Sequence, residues 1–172
     1  MPRRLLLAAV ALLALAGGAG AAGLARRFAG AADPCATGAS AVVVLTASRT
    51  LWLCERGRAT ARFRVSLGQG GTDKRREGDE KTPLGTYTLG APRASAGWGT
   101  FIPIGYPTAA QRRRGYTGAA VGVHGPARGF RWAGRANAWF DWTGGCVGMA
   151  SDAELAQVAA VARRGGATIS IR

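Results

Sequence analysis

At 172 residues the chain amounts to one domain behind a short leader, with no need for a second domain. Its 23 Lys and Arg against 9 Asp and Glu give a net charge of +14, read either as a face for polyanionic partners or as the compositional bias that also enriches Ala and Gly. One histidine and three scattered cysteines exclude a metal cluster, and no nucleic-acid-binding module is visible.

Residues 1–25 carry Arg3 and Arg4, an apolar run from Leu5 to Ala16 and a small-residue stretch containing Ala19-Gly20-Ala21. That order fits a secretory signal peptide or, if it is retained, an N-terminal membrane anchor. Either makes the protein an exported one. Cys35 lacks the preceding small and aliphatic run that marks a lipid-attached cysteine. Residues 26–40 read as a linker and 41–172 as the domain.

Val42 to Leu45, Leu51 to Cys54 and Phe63 to Leu67 are strand-like, with a turn at Glu55 to Arg58, and together predict an antiparallel meander. Gly68 to Lys81 is a long polar, glycine-rich loop, followed by a turn at Thr82 to Gly85 and a strand at Thr86 to Leu89. Phe101 to Ile104 is a short apolar piece. Ala119 to His124 reads as a strand that delivers His124 at its end.

Ser151 to Glu154 matches a capping box, and Leu155, Val158, Ala159 and Ala162 follow at helical spacing until Gly165 can stop the helix. Ala167 to Ile171 closes the chain as an alternating strand. The sum is a mainly β domain with a helix near the C-terminus. In an exported chain, three cysteines suggest one disulfide and one free thiol. Cys35 and Cys54 flank the first strand and form the expected bridge, two unpaired thiols being the alternative.

The remaining cysteine stands in Asp141-Trp-Thr-Gly-Gly-Cys146, 22 positions after the lone His124. A thiol is a poor nucleophile at neutral pH without a base or a positive environment, and His124 is the one imidazole available. Its orienting partner is a backbone carbonyl near Gly125 or the carboxylate of Asp141. Gly144 and Gly145 permit a tight turn that aims backbone N–H groups, Gly145's among them, at a developing oxyanion. Trp132, Trp139, Phe140 and Trp142 line a groove or pack in the core. Papain-like peptidases run Cys before His, so the order here argues against them.

The ordered blocks Gly68 to Gly71, Lys74, Glu77-Gly-Asp79, Thr82 to Tyr87, Phe101 to Pro107, His124-Gly125 and Asp141 to Cys146 resemble the L,D-transpeptidase catalytic domain of the YkuD/ErfK type, from about Ala41 to Arg172. The resemblance implies a β-sandwich-like catalytic domain. It makes Cys146 the nucleophile, His124 the base and the Gly125 carbonyl the group that orients the imidazole. It also implies peptidoglycan stem peptides as substrate, the periplasm or cell envelope of a bacterium as location, no metal or organic cofactor and a monomer. Trp142, Thr143, Gly144 and Arg128 are the candidates for contacting substrate. Many members have a second histidine where this chain has Gly144, and an asparagine or arginine where it has Gly148. The expected activity is transfer of a stem acyl group from a thioester at Cys146 to an amine, giving 3,3 cross-links or wall-protein attachment. A hydrolytic L,D-carboxypeptidase or amidase and a non-catalytic wall-binding module are the alternatives.

Overall fold

The computed structural model describes residues 33–172, so the expected signal or anchor lies outside the described residues. Pro34–Arg172 forms one compact unit. The segment read as a linker therefore joins the domain at Pro34. The Cys35–Cys54 disulfide fastens it, with Cα atoms 5.3 Å apart, and the Pro34 carbonyl accepts a 3.1 Å hydrogen bond from the Arg172 guanidinium.

The expected meander forms: β1 (Val42–Leu45), β2 (Thr50–Glu55) and β3 (Arg58–Ser66) pair antiparallel in sequence. Arg56 and Gly57, at φ 51° and 74°, make the two-residue turn whose twist matches the flanking strands. β4 (Gly85–Thr88) pairs antiparallel with the final strand β9 (Thr168–Ile171), which lies parallel to β1. The other half holds β5 (Arg93–Ser95), β6 (Gly99–Pro103), β7 (Gly122–His124) and β8 (Val147–Met149). The strand order is β4-β9-β1-β2-β3-β8-β7-β6-β5.

β3 joins the halves, pairing with β2 along most of its length and with β8 through Val65 and Ser66. The sheet curls until its far parts meet: the Gly90 N–H donates to the Pro103 carbonyl at 2.8 Å, and the Gly105 N–H to the Thr88 carbonyl at 3.0 Å. Inside the curl lie Val42, Val44, Leu51, Ile102, Val123, Val147, Met149 and Ile169. Burial of each such large aliphatic side chain contributes about 1.5–3 kcal/mol.

Thr108 caps α1 (Ala109–Arg113) through a reciprocal box with Gln111. Ser151 caps α2 (Asp152–Arg163), its hydroxyl accepting from the Glu154 N–H at 3.3 Å. α2 buries the expected Leu155, Val158, Ala159 and Ala162 against β6 and β8. The strand expected from Ala119 begins only at Gly122, because Gly118 and Ala120 take positive φ and turn the chain first. Between β7 and β8, residues Arg128–Ala138 wind as a 3₁₀ segment broken at Gly134.

Candidate active site

Parallel pairing of β7 with β8 brings the two sequence candidates together. His124 pairs with Gly148, and Cys146 lies two residues earlier, so both side chains leave the same face of the sheet. His124 is buried. Its Nδ1 lies 2.7 Å from the Gly125 carbonyl oxygen, and since that oxygen can only accept, Nδ1 carries the proton and the Nε2 lone pair is free for a base's work. Gly125 is itself fixed, because a Cβ there would lie 2.6 Å from a carboxylate oxygen of Asp152 at the start of α2.

Two indoles hold the imidazole ring. Trp98, from the turn between β5 and β6, stacks on His124 at 4.0 Å between centroids, and Trp142 meets the ring edge-on at 5.6 Å. Gly148 makes room for Trp142, since a Cβ at 148 would lie 3.3 Å from the indole. Burial holds the imidazole below its ordinary value of 6.5, against the opposing pull of the Gly125 hydrogen bond. The group is therefore neutral at neutral pH.

The thiol sits on a turn shaped from below. Gly145 has φ 121°, and a Cβ there would lie 2.6 Å from the Lys81 carbonyl oxygen. Thr143 ties the turn from within: its hydroxyl donates to the Cys146 carbonyl at 2.7 Å and accepts from the Gly145 N–H at 3.2 Å. The Gly145 N–H, expected to serve an oxyanion, is thus engaged by Thr143, and Gly145 does not line the cavity; its neighbours Gly144 and Cys146 do.

The long loop beneath is folded rather than loose. Asp79 accepts from the Arg75 and Arg76 N–H groups at 2.8 and 2.9 Å and from the buried Lys74 ammonium at 2.7 Å. Burial works to raise the Asp79 carboxyl, but these donors together hold it well below the usual carboxylate range. Burial also pushes the Cys146 thiol above 9.0, while the Gly122 N–H and the Lys74 charge pull it back.

Cys146 and His124 open into a cavity of about 640 Å³ lined by Trp142, Thr143 and Gly144 from the turn that carries the thiol and by Arg93, Ala94, Ser95 and Trp98 from the β5–β6 hairpin. Of the expected contact residues, Trp142, Thr143 and Gly144 line this cavity and Arg128 does not; the Arg128 side chain is exposed, while its N–H donates to the Gly97 carbonyl at 3.2 Å. Asp141 is no partner for His124: it accepts from the Leu67 N–H at 2.9 Å and faces Arg49 at 3.8 Å. Trp132, Trp139 and Phe140 point to solvent.

Trp98 and Arg93 are the site residues that sequence reasoning missed. The Gly97-Trp98-Gly99 triplet was a usable signal for the first, and Arg93 had none beyond its charge. Among the described residues, no three His, Cys, Asp or Glu side chains gather as metal ligands do.

Solved structures share this architecture. Pgp2 of Campylobacter jejuni, described as a helical cell shape determining protein, superposes with a TM-score of 0.62 at 22% identity over 76% of this chain and 46% of its own. Bd1075 of Bdellovibrio bacteriovorus gives 0.56 at 19% over 77% and 47%. The catalytic domain of the Enterococcus faecium L,D-transpeptidase gives 0.50 at 12% over 77% and 96%. The chain thus spans about half the length of Pgp2 and Bd1075. No curated protein matches it in sequence. The fold class is accordingly the mainly β one of L,D-transpeptidase catalytic domains. Residues 39–171 match the family model of YkuD, the L,D-transpeptidase catalytic domain, and the chain belongs to that family.

Proposed function

We propose that the protein is an exported, cysteine-dependent acyltransferase of the bacterial cell envelope that acts on peptidoglycan tetrapeptide stems. The observation that carries this reading is the pairing, in one cavity, of a free thiol with a neutral imidazole whose Nδ1 is occupied by the Gly125 carbonyl. His124 Nε2 removes the Cys146 proton as sulfur attacks the carbonyl between the diamino acid and the terminal D-alanine. The C–N bond breaks, the proton passes to the departing amine, and a thioester remains on Cys146. An amine from a second stem or a wall protein then attacks the thioester and returns the thiol.

Gly144 and Cys146 are the residues of this turn that line the cavity, and their N–H groups are the donors this reading assigns to the oxyanion. Arg93 is the cavity's arginine and pairs with a stem carboxylate, whereas Arg128, the arginine expected to contact substrate, lies outside the cavity. Arg93→Ala should raise KM by about tenfold or more, the worth of a charge-assisted hydrogen bond, with little change in kcat, whereas Arg128→Ala leaves KM for a soluble stem unchanged. Cell shape is the process named for the Pgp2 neighbour, and remodelling of wall cross-links is how this chain would enter it.

Incubation with a tetrapeptide muropeptide followed by mass measurement tests the reading. The expected result is an acyl adduct on Cys146, free D-alanine and a cross-linked product, all absent in Cys146→Ala and His124→Ala. Release of D-alanine with water as sole acceptor would make the enzyme a carboxypeptidase. An unmodified protein with no D-alanine released overturns the proposal.

A further inference from the structure

The 3₁₀ segment between β7 and β8 exposes side chains that such a chain ordinarily buries. Of five exposed large hydrophobic residues among those described, two fall within it, Phe130 and Trp132, and two directly follow it, Trp139 and Phe140, with Trp132 83% exposed. The segment is not loose. Ser66 Oγ approaches the Asn137 and Phe140 carbonyls at 2.8 and 2.6 Å, Arg64 Nε donates to the Ala138 carbonyl at 2.9 Å, and Asn137 Nδ2 donates to the Phe130 and Gly134 carbonyls at 3.0 Å each. The carbonyls turn inward and the rings outward on a fixed backbone. An exposed aromatic set on a pinned frame marks an interaction surface.

Its charge is one-sided. Arg128, Arg131 and Arg135 alternate with the aromatics, and no Asp or Glu occurs from Gly125 to Phe140. Arg131 pairs with Asp152 at 2.9 Å, while Arg128 and Arg135 are exposed. The segment is also tied to the two indoles that line the catalytic cavity beside His124. The Arg128 N–H holds the turn that carries Trp98, and the Asn137 carbonyl accepts the Trp142 indole N–H at 2.7 Å.

We propose that this surface holds the glycan strand of the wall polymer whose peptide enters the cavity, a proposal that rests on the functional reading above. Indole and phenyl faces stack on the C–H faces of sugar rings, and the arginines pair with carboxylates of neighbouring stems. A peptide seated at Cys146 leaves its strand at the cavity rim, where this segment lies. An anionic bilayer is the other surface that aromatic and arginine side chains suit, but it requires no adjacency to the cavity. The Trp132 indole N–H, moreover, donates to the Gly129 carbonyl at 2.9 Å, so the ring offers its face rather than the polar edge that interfacial tryptophans give to headgroups.

The test compares the full chain with a Trp132→Ser/Trp139→Ser variant and an Arg128→Ala/Arg135→Ala variant in co-sedimentation with purified sacculi, flotation with phosphatidylglycerol vesicles, and D-alanine release from a soluble tetrapeptide and from sacculi. The aromatic variant should bind sacculi at least about tenfold more weakly and slow on sacculi, while keeping its rate on the soluble peptide. The arginine variant should weaken sacculus binding and reduce its salt dependence. Undiminished sacculus binding by the aromatic variant, or a loss confined to vesicles, overturns the proposal. Failure of the unaltered chain on the soluble peptide instead overturns the functional reading, and sacculus binding still reports on the surface.

Discussion

Gly144 and Gly145 are neighbours, and a methyl group means something different at each. At Gly145 it meets the Lys81 carbonyl at 2.6 Å on a backbone with φ 121°, whereas at Gly144 nothing lies within 4 Å. Gly145→Ala should therefore cost about 1–3 kcal/mol in denaturant melts and slow alkylation or acylation of Cys146, and Gly144→Ala should change neither measurably. Beneath the same turn, Lys74 supplies a charge that favours the thiolate and Asp79 shares that charge. Lys74→Met should raise the midpoint of the pH profile for iodoacetamide alkylation of Cys146, and Asp79→Asn should lower it. If the two variants moved the midpoint in the same direction, the thiol would be responding to distortion rather than to charge.

The element that decides the site is the turn between the 3₁₀ segment and β8, tied by one hydroxyl. Thr143→Val keeps the shape of that buried side chain but strips the Cys146 carbonyl and the Gly145 N–H of their partner, so urea melts should show a loss of about 1–3 kcal/mol. The turnover of the variant should fall with it. How far such elements can be read from sequence depends on whether their cause is local. β1 and β2 announce themselves by short apolar runs buried on both faces, β3 by alternation, and α2 by Ser151 with Glu154 ahead of a helical repeat. α1 carried a comparable signal in Thr108 and Gln111, but five residues are too few for helical spacing to register. β5 and β8, three residues each, exist through pairing with distant strands. The same holds for the site. His124, Gly125 and Cys146 stand in local motifs, while Trp98 reaches His124 only because β5 and β6 fold back over it. Arg128, four residues after His124, is carried away from the cavity by the 3₁₀ segment.

For the molecule as a whole, buried titratable groups define a pH window of stability. His124 is held below 6.5 in the folded protein, so the unfolded chain takes the proton first, and stability present above that value is lost as pH falls below it. Asp79, held low by its donors, adds a second loss below about 3.8. Glu154, raised above 4.5 by burial, opposes these, because its folded form gains a proton first as pH falls. On the alkaline side the signs reverse. Cys146 lies above 9.0, and Tyr106 is pushed up to about 12 from 10.0, chiefly by burial, so the unfolded chain loses these protons first and stability falls as pH rises through 9 and 10. Thermal melts should thus show a plateau between roughly 6.5 and 9, with an acid slope of at most about 1.4 kcal/mol per pH unit where one group titrates. A net charge of +14 adds self-repulsion at low pH, but salt screens that and does not screen the burial of an imidazole. His124→Gln should therefore flatten the first acid slope in high salt, where the unaltered protein keeps it. A slope that survives the substitution unchanged would assign the acid loss to the surface charge instead.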